Sequence, residues 1–213
     1  MSDFQTRTIP TTVHGRYLVR DGPPERLLVG FHGYGETAEA HIAELRQIPG
    51  IDRWTIVAVQ ALHPFYAGRT GTIVASWMTS LDRVLAIEDN RVYVHSVVTQ
   101  FPARQQVVFL GFSQGAAMAY RAAIGTNPTA VIALGGDVPP EIAEFGIELP
   151  PVLIGRGVRD DFYTDEKFQK DLSFLRQVIP VSTCVYDGGH EWTAEFREAA
   201  GEFLARLADS STS

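Results

Sequence analysis

The chain reads as an α/β protein, one mostly parallel sheet of about seven strands with helices on both faces and an antiparallel hairpin at one edge. Three observations predict it. From Leu27 onward, short apolar runs rich in β-branched residues alternate with amphipathic helical patterns, as successive βαβ units require. The run Val107-Val108-Phe109-Leu110 passes directly into Gly111-Phe112-Ser113-Gln114-Gly115 and then into a small-residue helical pattern with Ala116, Ala117 and Ala122. Finally, only 14 residues, 137–150, separate the strand at 129–134 from the one at 152–154, which leaves no room for a cap domain.

Residues 11–20 (TTVHGRYLVR) alternate loosely and form a first strand; Asp21-Gly22-Pro23-Pro24 turns into the more buried run Arg26-Leu27-Leu28-Val29-Gly30-Phe31, giving the expected edge hairpin. After His32-Gly33-Tyr34-Gly35, a helix places Ile42, Leu45 and Ile48 on one face, and Pro49-Gly50 stops it. Residues 55–62 (TIVAVQAL) are the next strand. Residues 63–81 show no clear period and carry Phe65, Tyr66, Trp77 and Met78 among glycines; loops of this length are often functional. A helix is expected from near Asp89, burying Val94, Val97, Val98 and Phe101, and it leads to the strand at Val107. The strand at 129–134 ends in Gly135-Gly136-Asp137. Beyond the strand at 152–154, Thr164 N-caps a helix that buries Phe168, Leu172, Leu175 and Ile179. The last strand covers 181–186 and the last helix 193–207, with Phe196, Ala199, Phe203 and Leu207 inward and a polar tail, 209–213, expected to fray. With no repeat, low-complexity tract or linker, residues 1–213 are expected to form a single domain.

Composition narrows the function classes. Hydrophobic residues at 45% and charged residues at 20% are ordinary globular values. A net charge of −7 with scattered Lys and Arg argues against nucleic-acid binding. The single cysteine, Cys184, cannot form an internal disulfide, and no apolar run is long enough to span a bilayer or serve as a signal-peptide core. A soluble, cytoplasmic protein is expected, with a small-molecule or acylated substrate as partner and a homodimer allowed.

The chemistry concentrates at Ser113. A strand entering G-x-S-x-G and leaving as a helix is a nucleophile elbow: the turn is sharp, so Gly111 and Gly115 supply minimal side chains two residues to either side. A serine hydroxyl needs a base to take its proton and a third group to orient that base. Only one histidine follows Ser113, His190, in the glycine-flanked loop after the last strand. The acid belongs in the loop after the Val152 strand, where Asp160 and Asp161 both lie; Asp137 is a further option, and Asp187 stands too near His190 in sequence to be favoured. The oxyanion N–H donors expected are those of Gln114, next to the nucleophile, and Tyr34, in the loop after an earlier strand. Phe65, Tyr66, Trp77, Val138, Phe162 and Trp192 are candidates for an apolar substrate pocket. The six histidines are dispersed and no carboxylates cluster, so neither metal nor cofactor is expected.

With these residues in place, the chain resembles the phospholipase/carboxylesterase group of α/β-hydrolases, which includes acyl-protein thioesterases and small carboxylesterases. The resemblance runs through His32-Gly33-Tyr34-Gly35-Glu36, Ser76-Trp77, 111–115, Gly157-Val158-Arg159-Asp160 and Gly189-His190-Glu191. It implies an α/β-hydrolase fold and a serine carboxylesterase or thioesterase, and the uncapped site with apolar walls favours short- to medium-chain esters, with thioesters or lysophospholipids as further substrates. It selects Asp160 over Asp161 through the family's G-x-x-D, and it implies an oxyanion N–H from Tyr34. Family members often carry leucine at the position of Tyr34 and His-Gly at that of Arg156-Gly157. Two rival readings stand beside it. One is a catalytically silent ligand-binding protein on a hydrolase scaffold. The other is a dinucleotide-binding protein, because 33–38 fits G-x-G-x-x-[GA], although the following strand ends at Gln60-Ala61 without the acid that a ribose wants.

Overall fold

The computed structural model describes residues 5–69, 71–144 and 148–210. In order, the elements are β1 (Tyr17–Arg20), β2 (Arg26–Phe31), α1 (Ala38–Leu45), β3 (Thr55–Val59), β4 (His63–Ala67), β5 (Thr72–Ser76), α2 (Arg83–Thr99), β6 (Gln106–Phe112), α3 (Gln114–Ala123), β7 (Ala130–Leu134), α4 (Pro140–Glu144), β8 (Val152–Gly157), α5 (Asp165–Val178), β9 (Val181–Tyr186) and α6 (Ala194–Ser210). Seven strands form one sheet in the order β1-β3-β2-β6-β7-β8-β9, parallel except for β1.

Side chains alternate across a strand, and here both faces are apolar because helices cover both. Leu27, Val29, Phe31, Phe109 and Val131 face one core with Val94 of α2, Ala119 of α3 and Phe168 of α5. Leu28, Ile56, Val108, Leu110 and Ile132 face the other, with Leu45 of α1 and Phe196, Ala200 and Phe203 of α6. This explains the continuous apolar runs that marked the strands. Ala199 and Leu207, expected inward on α6, are half-buried, and Ala200 and Leu204 take the fully buried places.

The expected edge hairpin is corrected. β1 is the antiparallel edge strand, but it pairs with β3, from Tyr17 opposite Val59 to Arg20 opposite Ile56. β2 has parallel partners on both sides, so the turn after β1 must step over β3. Thr55 fastens that crossing: its hydroxyl accepts the Gly22 N–H at 3.2 Å and donates to the Pro23 carbonyl at 3.2 Å.

Residues 63–81 are not an irregular loop. They contain a two-stranded hairpin, β4–β5, whose mixed exposure left no readable period in the sequence. Helix α2 begins at Arg83, earlier than Asp89, with Val94, Val97 and Val98 buried as expected. Thr164 caps α5, its side chain accepting from the Lys167 N–H. At the C-terminus α6 runs to Ser210, and residues 211–213 of the tail expected to fray lie outside the described residues. Among the described residues, no helix is long and apolar enough to cross a membrane.

Candidate active site

Ser113 stands at the carboxyl end of β6 with φ 55° and ψ −119°, a backbone conformation that L-residues rarely adopt. The bend is possible because neither flanking glycine has a side chain. A Cβ on Gly111 would collide with the Gly115 carbonyl, and one on Gly115 with the Phe31 carbonyl. The Ser113 N–H donates to the Leu134 carbonyl at 2.8 Å, and its own carbonyl accepts from the Ala116 N–H at 3.0 Å.

The structure brings the three polar residues together. His190 Nε2 lies 2.8 Å from Ser113 Oγ, and His190 Nδ1 lies 2.8 Å from Asp160 Oδ2. The Asp160 side chain is fully buried, and its other oxygen accepts the N–H groups of Phe162 at 2.9 Å and Tyr163 at 2.8 Å. These two donors fix the carboxylate in the loop after β8 and leave Oδ2 to the imidazole. The His190 ring packs against both Phe112 and Phe162, each with its centroid 4.9 Å away. The other acids weighed from the sequence do not reach it. Asp161 is exposed, Asp137 pairs with Lys167 at 3.4 Å, and Asp187 pairs with Arg159. That last pair joins the loop bearing Asp160 to the one bearing His190, as does the Arg159 N–H bonded to the Gly188 carbonyl at 2.9 Å.

The loop after β2 is braced from within. His32 is fully buried; Nδ1 donates to the Gly33 carbonyl at 2.7 Å and Nε2 accepts the Ala61 N–H at 3.1 Å, which assigns the neutral ring. Burial pushes this imidazole below its ordinary pKa, consistent with that role. Glu36 Oε2 accepts the Gly33 N–H at 2.8 Å, and burial holds its carboxyl above the usual carboxylate range. Gly35 and Glu36 exchange backbone hydrogen bonds with Ala75 at 2.9 Å, so the β4–β5 hairpin buttresses the same loop. The N–H groups of Tyr34 and Gln114 have no protein acceptor among the described residues.

The pocket candidates separate. Val138 and Phe162 line a cleft of about 700 Å³ that contains Ser113. Trp77 does not: it is fully buried, its indole N–H donates to the His32 carbonyl at 2.8 Å, and its ring packs on Phe31 and His32. The expectation that it contacts substrate is corrected to a support beneath the loop after β2. Phe65, on β4, packs its ring against Tyr34 at 5.5 Å rather than lining the cleft. Tyr66 is exposed, and Trp192 packs among Phe112, His41 and Phe196.

Three features escaped the sequence reading. The Gln114 side chain accepts the Trp77 N–H at 2.9 Å and donates to the Met78 carbonyl at 2.8 Å, tying the elbow to the segment after β5. Gly135, at φ 63°, lies so close to His190 that a Cβ would stand 3.1 Å from the ring, and a Cβ on Gly136 would strike the Ser113 carbonyl. Asp171 of α5 is buried at the cleft, where Oδ2 accepts both the Val138 N–H and the Tyr163 hydroxyl at 2.9 Å. Only the glycines carried a sequence signal, as a pair at a strand end. The dinucleotide reading loses part of its anchor: two of the N–H groups opening α1 are already taken, Ala38 by Gln60 Oε1 at 2.8 Å and Ala40 by Thr37 Oγ1 at 3.2 Å.

No model of a known protein family matches the sequence, and no curated protein matches it. Solved structures do. Esterase PE8 superposes with a TM-score of 0.75 at 24% identity, covering 92% of this chain and 100% of its own. A phospholipase/carboxylesterase from Dyadobacter fermentans gives 0.70 at 23%, covering 92% and 98%. Acyl-protein thioesterase 2 from Zea mays gives 0.71 at 18%, covering 91% and 99%. These proteins bear the names of the group that the motifs resemble, and at such identities the likeness extends to architecture: the chain has the α/β-hydrolase fold.

Proposed function

We propose that the protein is a serine carboxylic-ester hydrolase acting on short- to medium-chain esters, with thioesters and lysophospholipids as related substrates. The observation that carries this reading is the unbroken relay from the buried Asp160 carboxylate through His190 to Ser113, both links 2.8 Å. Nδ1–H of His190 is held by Asp160, so Nε2 is free to accept the Ser113 proton. Ser113 attacks the carbonyl carbon, and the oxyanion that forms is received by the Tyr34 and Gln114 N–H groups. His190 then returns the proton to the departing alcohol or thiol, leaving an acyl-serine. Water, losing its proton to His190, attacks the acyl-serine, and His190 passes that proton to the departing Ser113 Oγ, releasing the acid and restoring the serine.

Support for the ester class comes from the walls of the cleft, where Val138, Pro139, Phe162 and Phe174 give apolar surface for an acyl chain. The test is labelling with a fluorophosphonate alongside hydrolysis of 4-nitrophenyl esters of increasing chain length, each with a Ser113→Ala control. Labelling and turnover that both vanish in the control are expected. A natively folded wild-type protein that neither labels nor turns over any ester refutes the reading and favours the silent binding protein.

A further inference from the structure

We infer that the cleft selects substrates carrying an anionic group, a carboxylate or a phosphate, in addition to the ester that Ser113 attacks; this rests on the hydrolase reading above. The chain carries a net charge of −7, yet four basic side chains, Arg83, Arg121, Lys167 and Lys170, line the cleft that holds the serine. A protein of that overall sign repels anions unless its site locally reverses the field.

The acids around the cleft are already committed. Glu141 binds Arg121 at 2.5 Å, Asp137 faces Lys167 at 3.4 Å, and Asp171 is buried and takes the Val138 N–H and Tyr163 hydroxyl. Burial holds the Asp171 carboxyl above the usual range, against the opposing pull of the Val138 N–H, the Tyr163 hydroxyl and the Lys170 charge. Lys167 is further occupied by the Phe162 carbonyl at 2.8 Å. Arg83 and Lys170 are left exposed and form no hydrogen bond or close ion pair among the described residues; Arg83 acts on the Glu141 carboxylate and Lys170 on that of Asp171 only through longer-range attraction.

Helix stability does not explain Arg83, whereas Lys170 stands four residues after Glu166 on α5, a spacing that helices favour. Arg83 opens α2, at the end where the helix dipole disfavours a cation, and the first turn of α2 holds no acidic residue. Lys167, Lys170, Asp171 and Phe174 all line the cleft, and their spacing of three, four and seven residues puts them on one face of α5. The result is an apolar trough with exposed positive charge on two separate helices. It fits an acyl chain or alcohol that ends in an anion, and a neutral ester leaves both charges unused.

The test compares matched pairs of substrates at low ionic strength. For an anion on the acyl side, the 4-nitrophenyl monoester of glutarate is measured against 4-nitrophenyl valerate. For an anion on the alcohol side, butyryl glycerol phosphate is measured against monobutyrin. In one arm or the other, kcat/KM for the anionic member is expected to exceed that of its neutral partner about tenfold, mainly through KM. The advantage should shrink in 0.5 M salt, where the Debye length is about 4 Å against about 30 Å at 10 mM. In Arg83→Gln/Lys170→Gln the anionic-to-neutral ratio should fall to about one, a readout that a general loss of stability does not move. Neutral esters cleaved with no anionic advantage in either arm, or an advantage that survives the double substitution, overturns the inference alone. No turnover of any ester removes the hydrolase reading, and the inference with it.

Discussion

Replacing Asp160 by asparagine is the sharpest test of the relay, because the surrounding backbone dictates how the new amide must sit. Asp160 Oδ1 accepts the Phe162 and Tyr163 N–H groups at 2.9 and 2.8 Å, and only a carbonyl oxygen can take that place. Turning the amide over would set its NH2 group against two donors and lose two hydrogen bonds, each worth about 0.5–1.5 kcal/mol before the cost of the unsatisfied donors. The NH2 group is therefore held toward His190 Nδ1, 2.8 Å away in the native site. Nδ1 must then accept, so the ring proton moves to Nε2, which faces Ser113 Oγ and can no longer take its proton. The expected loss in kcat is about 10⁴-fold, roughly 5.5 kcal/mol of barrier, by analogy with the equivalent serine-protease substitution. Steady-state kinetics with a 4-nitrophenyl ester gives the number, and a circular dichroism melt checks the fold. A folded variant within tenfold of wild type refutes the assignment, and Asp161 or Asp137 would have to be reconsidered.

Three further outcomes are expected. Gln114→Ala keeps the backbone N–H at the elbow but leaves the Trp77 N–H and Met78 carbonyl without their side-chain partner, so urea unfolding should show a loss of about 1–3 kcal/mol; unchanged stability would dismiss the tie. Gly135→Ala places a methyl 3.1 Å from the His190 ring at φ 63°, and the displaced imidazole should lower kcat about 10²-fold in a protein that still folds. His41 is fully buried with neither ring nitrogen hydrogen-bonded, and burial, reinforced by the neighbouring His32, pushes it from 6.5 to about 3. The unfolded chain therefore binds a proton that the folded chain refuses. The stability from this group is fully present above pH 6.5 and is lost as pH falls toward 3, with about 2 kcal/mol of that loss between pH 7 and 5. His41→Met should remove that slope in denaturant melts taken across the range, and a wild-type-minus-variant difference that stays flat with pH would contradict it.

What could be read in the sequence was whatever has a local physical cause. The elbow was legible because Gly111, Ser113 and Gly115 satisfy a steric demand within five residues, and the atoms that would collide with their missing side chains are now identified. His190 was legible by elimination. Asp160 was not separable from Asp161 by position alone, because the distinction lies in which side chain turns inward to meet two backbone donors. The partner of β1 was hidden for a similar reason: a short turn implies a hairpin, and nothing local says that β2 already has a neighbour on each side. Trp77 shows the opposite error. An aromatic among glycines looks like a pocket wall, but its destination was set by the His32 carbonyl, 45 residues earlier in the chain, which needed a donor.

The strain at Ser113 gives these separate details a common purpose. A serine at φ 55° and ψ −119° costs about 1–3 kcal/mol and persists only if its surroundings leave no easier conformation. Here they close on it from several sides. The Leu134 carbonyl holds its N–H, the Ala116 N–H holds its carbonyl, Gly136 packs against that carbonyl, and the Gln114 side chain anchors the first residue of α3 to the segment after β5. Apart from the Ala116 N–H, which belongs to α3 itself, each restraint comes from the carboxyl end of β7 or from segments packed beside that edge, where parallel strands deliver their loops. Those same loops bring Asp160 and His190. The parallel sheet thus gathers the relay and also supplies the contacts that keep its serine bent, so loosening a contact such as Gln114 to Met78 should relax the elbow before it disturbs the histidine.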